Sequence, residues 1–257
     1  MTIVTVRGNM SFTASTLKRL QESLVDLLYP RRCGACGCGL GTGERLFCRG
    51  CRDSVTRLTG RCCSICGRQL PDGSGDDHPC GACLKSRPHY DMARAEVRYE
   101  GAVMEAIKMY KYRPMRSLKG YLGGYAADCA AKCFKGVDVV AAVPLHKIRL
   151  GHRGFNQSLF LAEAAARAAG ARLSLSGLAR TRHTRPQVGL DHSERARNVR
   201  GAFSVVRPDE FMGMDVLLVD DVYTTGETVK ECARVLKAAG AGKVLVLTVA
   251  RAAEGRL

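Results

Sequence analysis

At 257 residues, with 46% hydrophobic and 25% charged residues, the chain can hold one full α/β domain plus a smaller module. No apolar run is long enough to span a bilayer, and the N-terminus lacks the charged-then-apolar order of a signal peptide, so a cytoplasmic protein without membrane insertion is expected. A net charge of +16 favours phosphorylated substrates or polyanionic partners by long-range attraction, although composition alone does not establish nucleic-acid binding.

The first predicted element is a helix over 15–28. Leu17, Leu20, Leu24, Leu27 and Leu28 fall at helical spacing, a Ser or Thr opens it, and Tyr29-Pro30 closes it. Residues 1–29 therefore read as an extension plus this helix. Thirteen cysteines follow in an intracellular reading, which points to metal before disulfides, and ten of them lie between Cys33 and Cys83. They form four CxxC pairs: Cys33/Cys36, Cys48/Cys51, Cys63/Cys66 and Cys80/Cys83. A CxxC knuckle sets two thiolates on one tight turn, so two knuckles supply a tetrahedral four-cysteine zinc site.

An internal repeat groups these pairs. Cys33, Cys36, Leu40 and Gly43 recur thirty positions later as Cys63, Cys66, Leu70 and Gly73, and Cys48 and Cys51 recur as Cys80 and Cys83. The pattern predicts a double zinc ribbon over 30–88 with one structural zinc per repeat. Interleaved pairing, or a second site decayed to an empty one, remains the alternative. Cys38 and Cys62 read as spectators, with Cys62 able to replace Cys63. Cys129, Cys133 and Cys232 read as small buried hydrophobes on helices. The apolar content of the module is too low to fold it without metal, and closed sites of this kind carry no catalysis.

Residues 89–257 read as the second domain. Ala93 to Tyr99 alternates as a strand, Val103 to Tyr112 is a helix carrying Lys108 and Lys111, and Leu118 to Phe134 is an alanine-rich helix. Val137 to Val143 is a buried strand that stops at Pro144. The loop after it carries His146, Lys147, Arg149, His152 and Arg153 before a helix over Leu159 to Ala169. A cationic loop at a strand end suits a phosphorylated ligand. Between Arg180 and Arg200 stand six arginines against Asp191 and Glu194. Arg200 to Val206 is expected to return as a strand into Val216 to Val219, and Val244 to Ala250 makes one more. The strands and intervening helices predict an α/β fold with a doubly wound parallel sheet.

The stretch Leu217 to Thr228 organises the rest. A buried strand runs into Asp220 and Asp221, then into a Thr224-Thr225-Gly226 turn and a helix from Glu227. In an open α/β sheet ligands bind at that strand end. The small turn residues and the helix N-terminus suit a phosphate, while the two carboxylates suit sugar hydroxyls. Phosphate on one side and a diol on the other describe a ribose 5-phosphate.

This stretch closely resembles the 5-phosphoribosyl-1-pyrophosphate (PRPP) loop of type I phosphoribosyltransferases, unbroken at Asp220, Asp221, Thr224, Thr225, Gly226 and Thr228. The order of Leu28-Tyr29-Pro30, the CxxC ladder and Arg153-Gly154-Phe155-Asn156-Gln157 is similar to that of the ComF family. So is the stretch holding Gln187, Leu190, Arg195, Asn198, Gly201 and Phe203, and the likeness runs over roughly 28–250. The resemblance implies the type I phosphoribosyltransferase fold behind a small N-terminal four-cysteine zinc-ribbon module. It implies an enzyme that binds PRPP with Mg²⁺ and transfers phosphoribosyl to an acceptor the sequence does not name, linked to DNA uptake in natural competence.

By the same resemblance Asp220 and Asp221 bind ribose, and Thr224 to Thr228 bind the 5′-phosphate. His146, Lys147 and Arg153 approach pyrophosphate, with Asp220, Asp221 and Arg153 as the catalytic groups. Arg180 to Arg200 is then the flexible flap over the site. The alternative reading is a non-catalytic PRPP-binding competence factor that handles single-stranded DNA, with a competence helicase or another uptake protein as partner. Aromatic residues are only 6% and Trp is absent, so base stacking would be confined to residues such as Tyr110, Tyr112 and Phe155. A PRPP-responsive regulator ranks last, because no helix-turn-helix pattern stands out.

Overall fold

Residues 30–71, 75–113, 115–185 and 191–253 are described by the computed structural model, so the helix expected over 15–28 and the flap positions Gln187 and Leu190 lie outside the described residues. Two short helices belong to the cysteine-rich part: α1 (Arg49–Asp53) and α2 (Gly81–Lys85). The chain then runs through β1 (Met92–Arg98), α3 (Gly101–Tyr112), α4 (Arg116–Cys133), β2 (Val139–Ala142), α5 (Lys147–Arg153) and α6 (Gln157–Ala169). It continues through β3 (Arg172–Ser174), β4 (Leu178–Arg180), α7 (His192–Val199), β5 (Phe203–Val205), β6 (Val216–Tyr223), α8 (Glu227–Ala238) and β7 (Val244–Arg251).

Five strands form one parallel sheet in the order β1-β7-β6-β2-β3. Both faces are covered, which is why the central strands read as unbroken apolar runs. Side chains alternate across the sheet. Leu217, Val219, Leu245 and Leu247 pack with α3, α4 and α6, whereas Val216, Leu218, Val244 and Val246 pack with α8 and the β4–β5 ribbon. Among the described residues no helix is long and apolar enough to cross a membrane.

The segment 200–206 departs from expectation. Phe203–Val205 pairs antiparallel with Leu178–Arg180 in a separate two-stranded sheet and does not join β6. The ten residues between β5 and β6 hold only a short 3-10 turn at Pro208–Glu210. A parallel neighbour needs a crossover of about a dozen residues or more, so this connection is too short to put β5 beside β6. The expected flap also contains an ordered piece. Asp191 caps α7 in a capping box, accepting from Glu194 N–H at 2.8 Å while Glu194 Oε2 accepts from Asp191 N–H at 2.8 Å.

The two cysteine repeats fold alike, bond for bond. Cys33 N–H donates to Cys38 O and Cys63 N–H to Arg68 O, both at 2.7 Å, and Gly37 and Gly67 close the same turns at 2.9 Å. Leu40 N–H reaches Arg31 O, and Leu70 N–H reaches Arg61 O, thirty positions on. Each repeat nevertheless docks on a different face of the domain. Cys33 and Phe47 bury with α3 and α4, where the Phe47 ring lies 5.3 Å from Tyr121. Cys63, Cys66, Cys80 and Cys83 bury with Tyr90, Tyr223 and α8. Between them, residues 56–58 bond to the outer edge of β1, with Leu58 N–H donating to Glu96 O and Arg98 N–H to Thr56 O. The module thus covers a strand edge that would otherwise be open to pairing.

Gly67 shows how closely the second ribbon sits on β1. Its φ is +71°, and a Cβ there would lie 2.4 Å from the Ala93 carbonyl oxygen. Gly37, its counterpart, has φ +75° and open space around it. Gly37→Ala should therefore cost only the left-handed backbone penalty, about 1–2 kcal/mol. Gly67→Ala should cost clearly more, roughly 3–4 kcal/mol, because backbone must move as well. Urea unfolding of the two zinc-loaded variants checks this, and equal losses would refute the docking contact.

Candidate functional site

The site is assembled where β6 meets the N-terminus of α6. Gly154, at φ +78°, ends α5, and Asn156 starts α6 by accepting from Ser158 N–H at 3.1 Å while its Nδ2 donates to Val143 O. That double turn carries the next two side chains onto the carboxylates at the end of β6. The Ser158 hydroxyl donates to Asp220 Oδ1 at 2.9 Å, and Gln157 Nε2 donates to Asp221 Oδ2 at 3.4 Å. Arg153 Nη1 fixes Gln157 from behind, 2.5 Å from its Oε1. From α3, Lys111 Nζ lies 3.1 Å from Asp221 Oδ2. The Asp221 backbone N–H also donates to Asp220 Oδ1, at 2.9 Å.

Among the described residues, Asp220 Oδ2 and Asp221 Oδ1 accept nothing. They are two acceptor atoms on adjacent residues, beside a cavity of about 590 Å³. Burial and the neighbouring Asp221 charge push Asp220 up to about 7, against the opposing pull of its hydrogen bonds and of Lys111.

The cavity wall carries Lys111, Arg149, Arg153, Arg180 and Arg195 against Asp220, Asp221 and Glu227, five permanent cations to three carboxylates. The arginines are poorly compensated. Arg149 Nη2 donates to Thr184 O at 2.8 Å, and Arg180 donates to the Thr184 hydroxyl and lies over the Phe203 ring. Burial, and then Arg153 next to it, lowers Arg149; burial, and then Arg149, lowers Arg180. Arg195, on α7, is 6% exposed, and its buried Nε has no partner among the described residues. A buried guanidinium N–H left without an acceptor is costly, so anions in this cavity would be held strongly.

On the far side, Thr224 to Gly226 make the turn into α8. Gly226 has φ +79°, and a Cβ there would sit 2.3 Å from the Tyr223 hydroxyl. Only glycine meets both constraints. Thr224, Gly226 and Thr228 line the cavity; Thr225 does not, and its buried hydroxyl lacks a partner among the described residues.

Asp220, Asp221, Arg153, Thr224, Gly226 and Thr228 are thus brought together, but three expected members of the set, Thr225, His146 and Lys147, do not line the cavity. The segment after Pro144 is a helix rather than a loop, and His146 is its cap: Nδ1 accepts from Ile148 N–H at 3.3 Å and the ring packs on His183. His146 is buried away from the cavity, and Lys147, on the first turn of α5, does not line it either. Arg149 and Arg153, on later turns of that helix, take their place. Lys111, Gln157 and Ser158 are site residues whose roles the sequence reading missed, with the Arg-Gly-Phe-Asn-Gln motif the available signal for Gln157; Arg180 and Arg195 fall in the segment expected to be the flap over the site.

The cysteines resolve into the within-repeat grouping. Cys33, Cys36, Cys48 and Cys51 form one cluster and Cys63, Cys66, Cys80 and Cys83 the other, all ligand atoms within 4.8 Å of one another in each. Cys36 and Cys48 sulfurs are 3.7 Å apart, Cys66 and Cys80 sulfurs 3.8 Å. Zn–S bonds of about 2.3 Å at tetrahedral angles give an S···S edge of about 3.8 Å, so both clusters fit a structural zinc. Cys62 is turned aside, its thiol donating to Asp77 at 3.3 Å, while Cys38 lies 3.3 Å from the Cys36 sulfur at the surface.

Comparison with known proteins finds two matching domain families. A double zinc ribbon domain matches residues 24–84, and a phosphoribosyl transferase domain matches residues 157–257. The chain is 31% identical over 229 residues to Competence protein F of Haemophilus influenzae, covering 86% of this chain and 97% of that protein. It is 30% identical over 230 residues to DNA utilization protein YhgH of Escherichia coli K12, covering 88% and 99%. Among solved structures, glutamine PRPP amidotransferase of B. subtilis aligns over 55% of this chain and 30% of its own, at 22% identity and a TM-score of 0.39.

The two clusters differ in exposure: all four thiols of the second are buried, whereas Cys36 is exposed and Cys48 and Cys51 are partly so. Elemental analysis should give two zincs per chain. A chelator such as EDTA should strip the first at least about tenfold faster than the second, followed by variants in either cluster; simultaneous loss would mean the sites are not independent.

Proposed function

The chain belongs to the ComF family, and from that premise we propose that it is a phosphoribosyltransferase that binds PRPP with Mg²⁺. The observation that carries the proposal is the pairing, in one cavity, of two free carboxylate oxygens with the buried Arg195, whose Nε is left without a partner among the described residues. Asp220 Oδ2 and Asp221 Oδ1 accept the ribose 2′- and 3′-hydroxyls. Backbone N–H groups of Thr224 to Thr228 and the start of α8 receive the 5′-phosphate. Arg149, Arg153, Arg180 and Arg195 face the pyrophosphate.

Magnesium carried with PRPP would neutralise part of the pyrophosphate charge. The chain's own contribution is to hold charge where it develops. As the C1′–O bond breaks, pyrophosphate leaves with the electron pair, and the arginines stabilise it. The ring gains positive character at C1′, which the ionised acid pair supports until the acceptor's nucleophilic atom bonds there. The α7 segment, tied to α8 where Gly201 N–H just after it donates to Glu231 Oε1 at 2.8 Å, shields that centre from water. In this reading residues 89–257 are the catalytic domain and 30–88 the zinc-binding one.

A second reading, PRPP binding without turnover in a protein that handles single-stranded DNA, is favoured by a separate groove. It runs between α2, α7 and α8, and Arg87, Arg200, Lys230 and Arg234 line it with Glu227 and Glu231. The name of the E. coli relative fits that use, and a helicase or other uptake protein is the matching partner. If a DNA strand binds there through phosphate contacts, its affinity must fall steeply with salt.

Calorimetric titration of Mg·PRPP into the zinc-loaded protein tests the first reading. The Asp220→Asn/Asp221→Asn double variant should lose about 100-fold or more in affinity, two charge-assisted hydrogen bonds being worth roughly 3 kcal/mol or more. Arg195→Met should bind about tenfold or more weakly, yet unfold at a higher temperature without ligand, because an uncompensated buried charge is gone. Undiminished binding in both would place PRPP elsewhere. Pyrophosphate release with candidate acceptors then separates enzyme from binding protein.

A further inference from the structure

Lys111 lies outside every motif of the sequence reading, yet among the described residues it is the one cation in direct contact with the acid pair. It sits on the last turn of α3, two residues after Met109, whose sulfur lies 3.1 Å from where a Cβ on Gly34 of the first ribbon would stand. Its side chain is 30% exposed, half-covered at the cavity wall, and its ammonium meets the same Asp221 Oδ2 that accepts from Gln157. Both donors thus take one oxygen of Asp221 and leave the other to the cavity.

Resting on the PRPP reading of the cavity, we propose that Lys111 is a positioning residue for the acid pair: a resident counter-cation that opposes protonation of the pair and holds Asp221 with Oδ1 free to accept a sugar hydroxyl. A carboxyl that has picked up a proton is a donor at that oxygen and cannot accept there. Two adjacent carboxylates at a buried strand end tend to share one proton. Asp220 already stands at about 7, pushed up by burial and by Asp221, and Lys111 pulls it down. Asp221 in turn raises Lys111, which keeps the ammonium charged.

The other groups around the pair cannot take over this role. Ser158 and Gln157 on α6 are neutral donors. Arg180 on β4 acts on Asp220 only at longer range, and Cys232 on α8 is a buried thiol raised well above its usual value. Arg149, His152 and Arg153 on α5, Arg195 on α7, and Tyr99 and Glu227 line the same cavity, but none of them bonds to either carboxylate among the described residues.

The sign follows. Without Lys111 the pair's midpoint rises, so near neutral pH it carries a proton and accepts one hydroxyl too few; raising the pH removes that proton and restores it. Carboxyl ¹³C NMR titration of the ligand-free, zinc-loaded chain, with Lys111→Met and Lys111→Arg beside wild type, reads the midpoint directly. Calorimetric titration of Mg·PRPP between about pH 6.5 and 9 reads the consequence. Lys111→Met should move the carboxyl midpoint up by about one pH unit or more, and its affinity deficit should shrink by about tenfold across that range. Lys111→Arg should behave as wild type in both.

An unmoved carboxyl midpoint in Lys111→Met overturns the proposal. So does an affinity deficit that is constant with pH, which would make Lys111 a phosphate contact instead. Failure of wild type to bind Mg·PRPP would sink the ribose-phosphate reading, while the NMR arm would still decide the role of Lys111.

Discussion

The constraint on which the site depends is the placement of two like charges side by side at the end of a buried strand. Asp220 and Asp221 repel each other and lose solvation, so neither is stable there without donors. Those donors come from three places: the first turn of α6 supplies Ser158 and Gln157, the last turn of α3 supplies Lys111, and the Asp221 backbone supplies its own N–H. Helices α3 and α6 lie on the same face of the sheet and share its core. Packing on that face therefore sets the electrostatics of the pair. A helix displaced by an ångström would leave a carboxylate uncompensated.

The zinc ribbons are part of that same packing rather than an appendage. The first ribbon presses on α3 and α4 through Gly34 and Phe47. The second reaches the ligand loop from the other face. Arg251 at the end of β7 donates to Cys66 O at 2.7 Å and stacks on the Tyr223 ring at 4.2 Å. The Tyr223 hydroxyl is 2.7 Å from that of Tyr90 and lies where any side chain on Gly226 would have to go. A metal knuckle, a strand end and the turn into α8 are thus linked in one chain of contacts. Folding of the cysteine repeats by metal and shaping of the cavity are one process in physical terms.

Much of this was legible in the sequence, and the rest fails for identifiable reasons. The Asp-Asp turn, its strand and its helix were readable because their signals are local: a β-branched run, a glycine and an amphipathic helix in one stretch. The cysteine grouping was readable because the thirty-residue repeat survives in both copies, and it is repeated in the backbone hydrogen bonds. His146 and Lys147 were misplaced because a run of cations after a strand reads as a phosphate loop. The same residues include good helix formers, and a helix turns only some of them inward. Phe203–Val205 was assigned to the main sheet because strand propensity does not report a partner. Lys111 could not be found at all, since it acquires its role only by meeting a residue distant in sequence, and Arg180 and Arg195 were legible only as part of a basic segment expected to cover the site.

The arginines carry the argument a step further. A fold selected for stability alone would not bury Arg195 with its Nε unpartnered, nor bury Arg149 beside Arg153 and Arg180 beside Arg149 so that Arg149 and Arg180 hold their protons less firmly. Functional sites are where such local costs persist, because the surrounding core over-determines the geometry. Here the core is two-faced and metal-clamped, and so able to hold that strain. The opposite sign sits at the acid pair, where the compensation is supplied from within the chain. A cavity that sets two free carboxylate oxygens opposite a crowd of cations would suit, on the proposed reading, a ligand with hydroxyls at one end and phosphates around them. The arrangement of these charges says more about such a ligand than the net charge does.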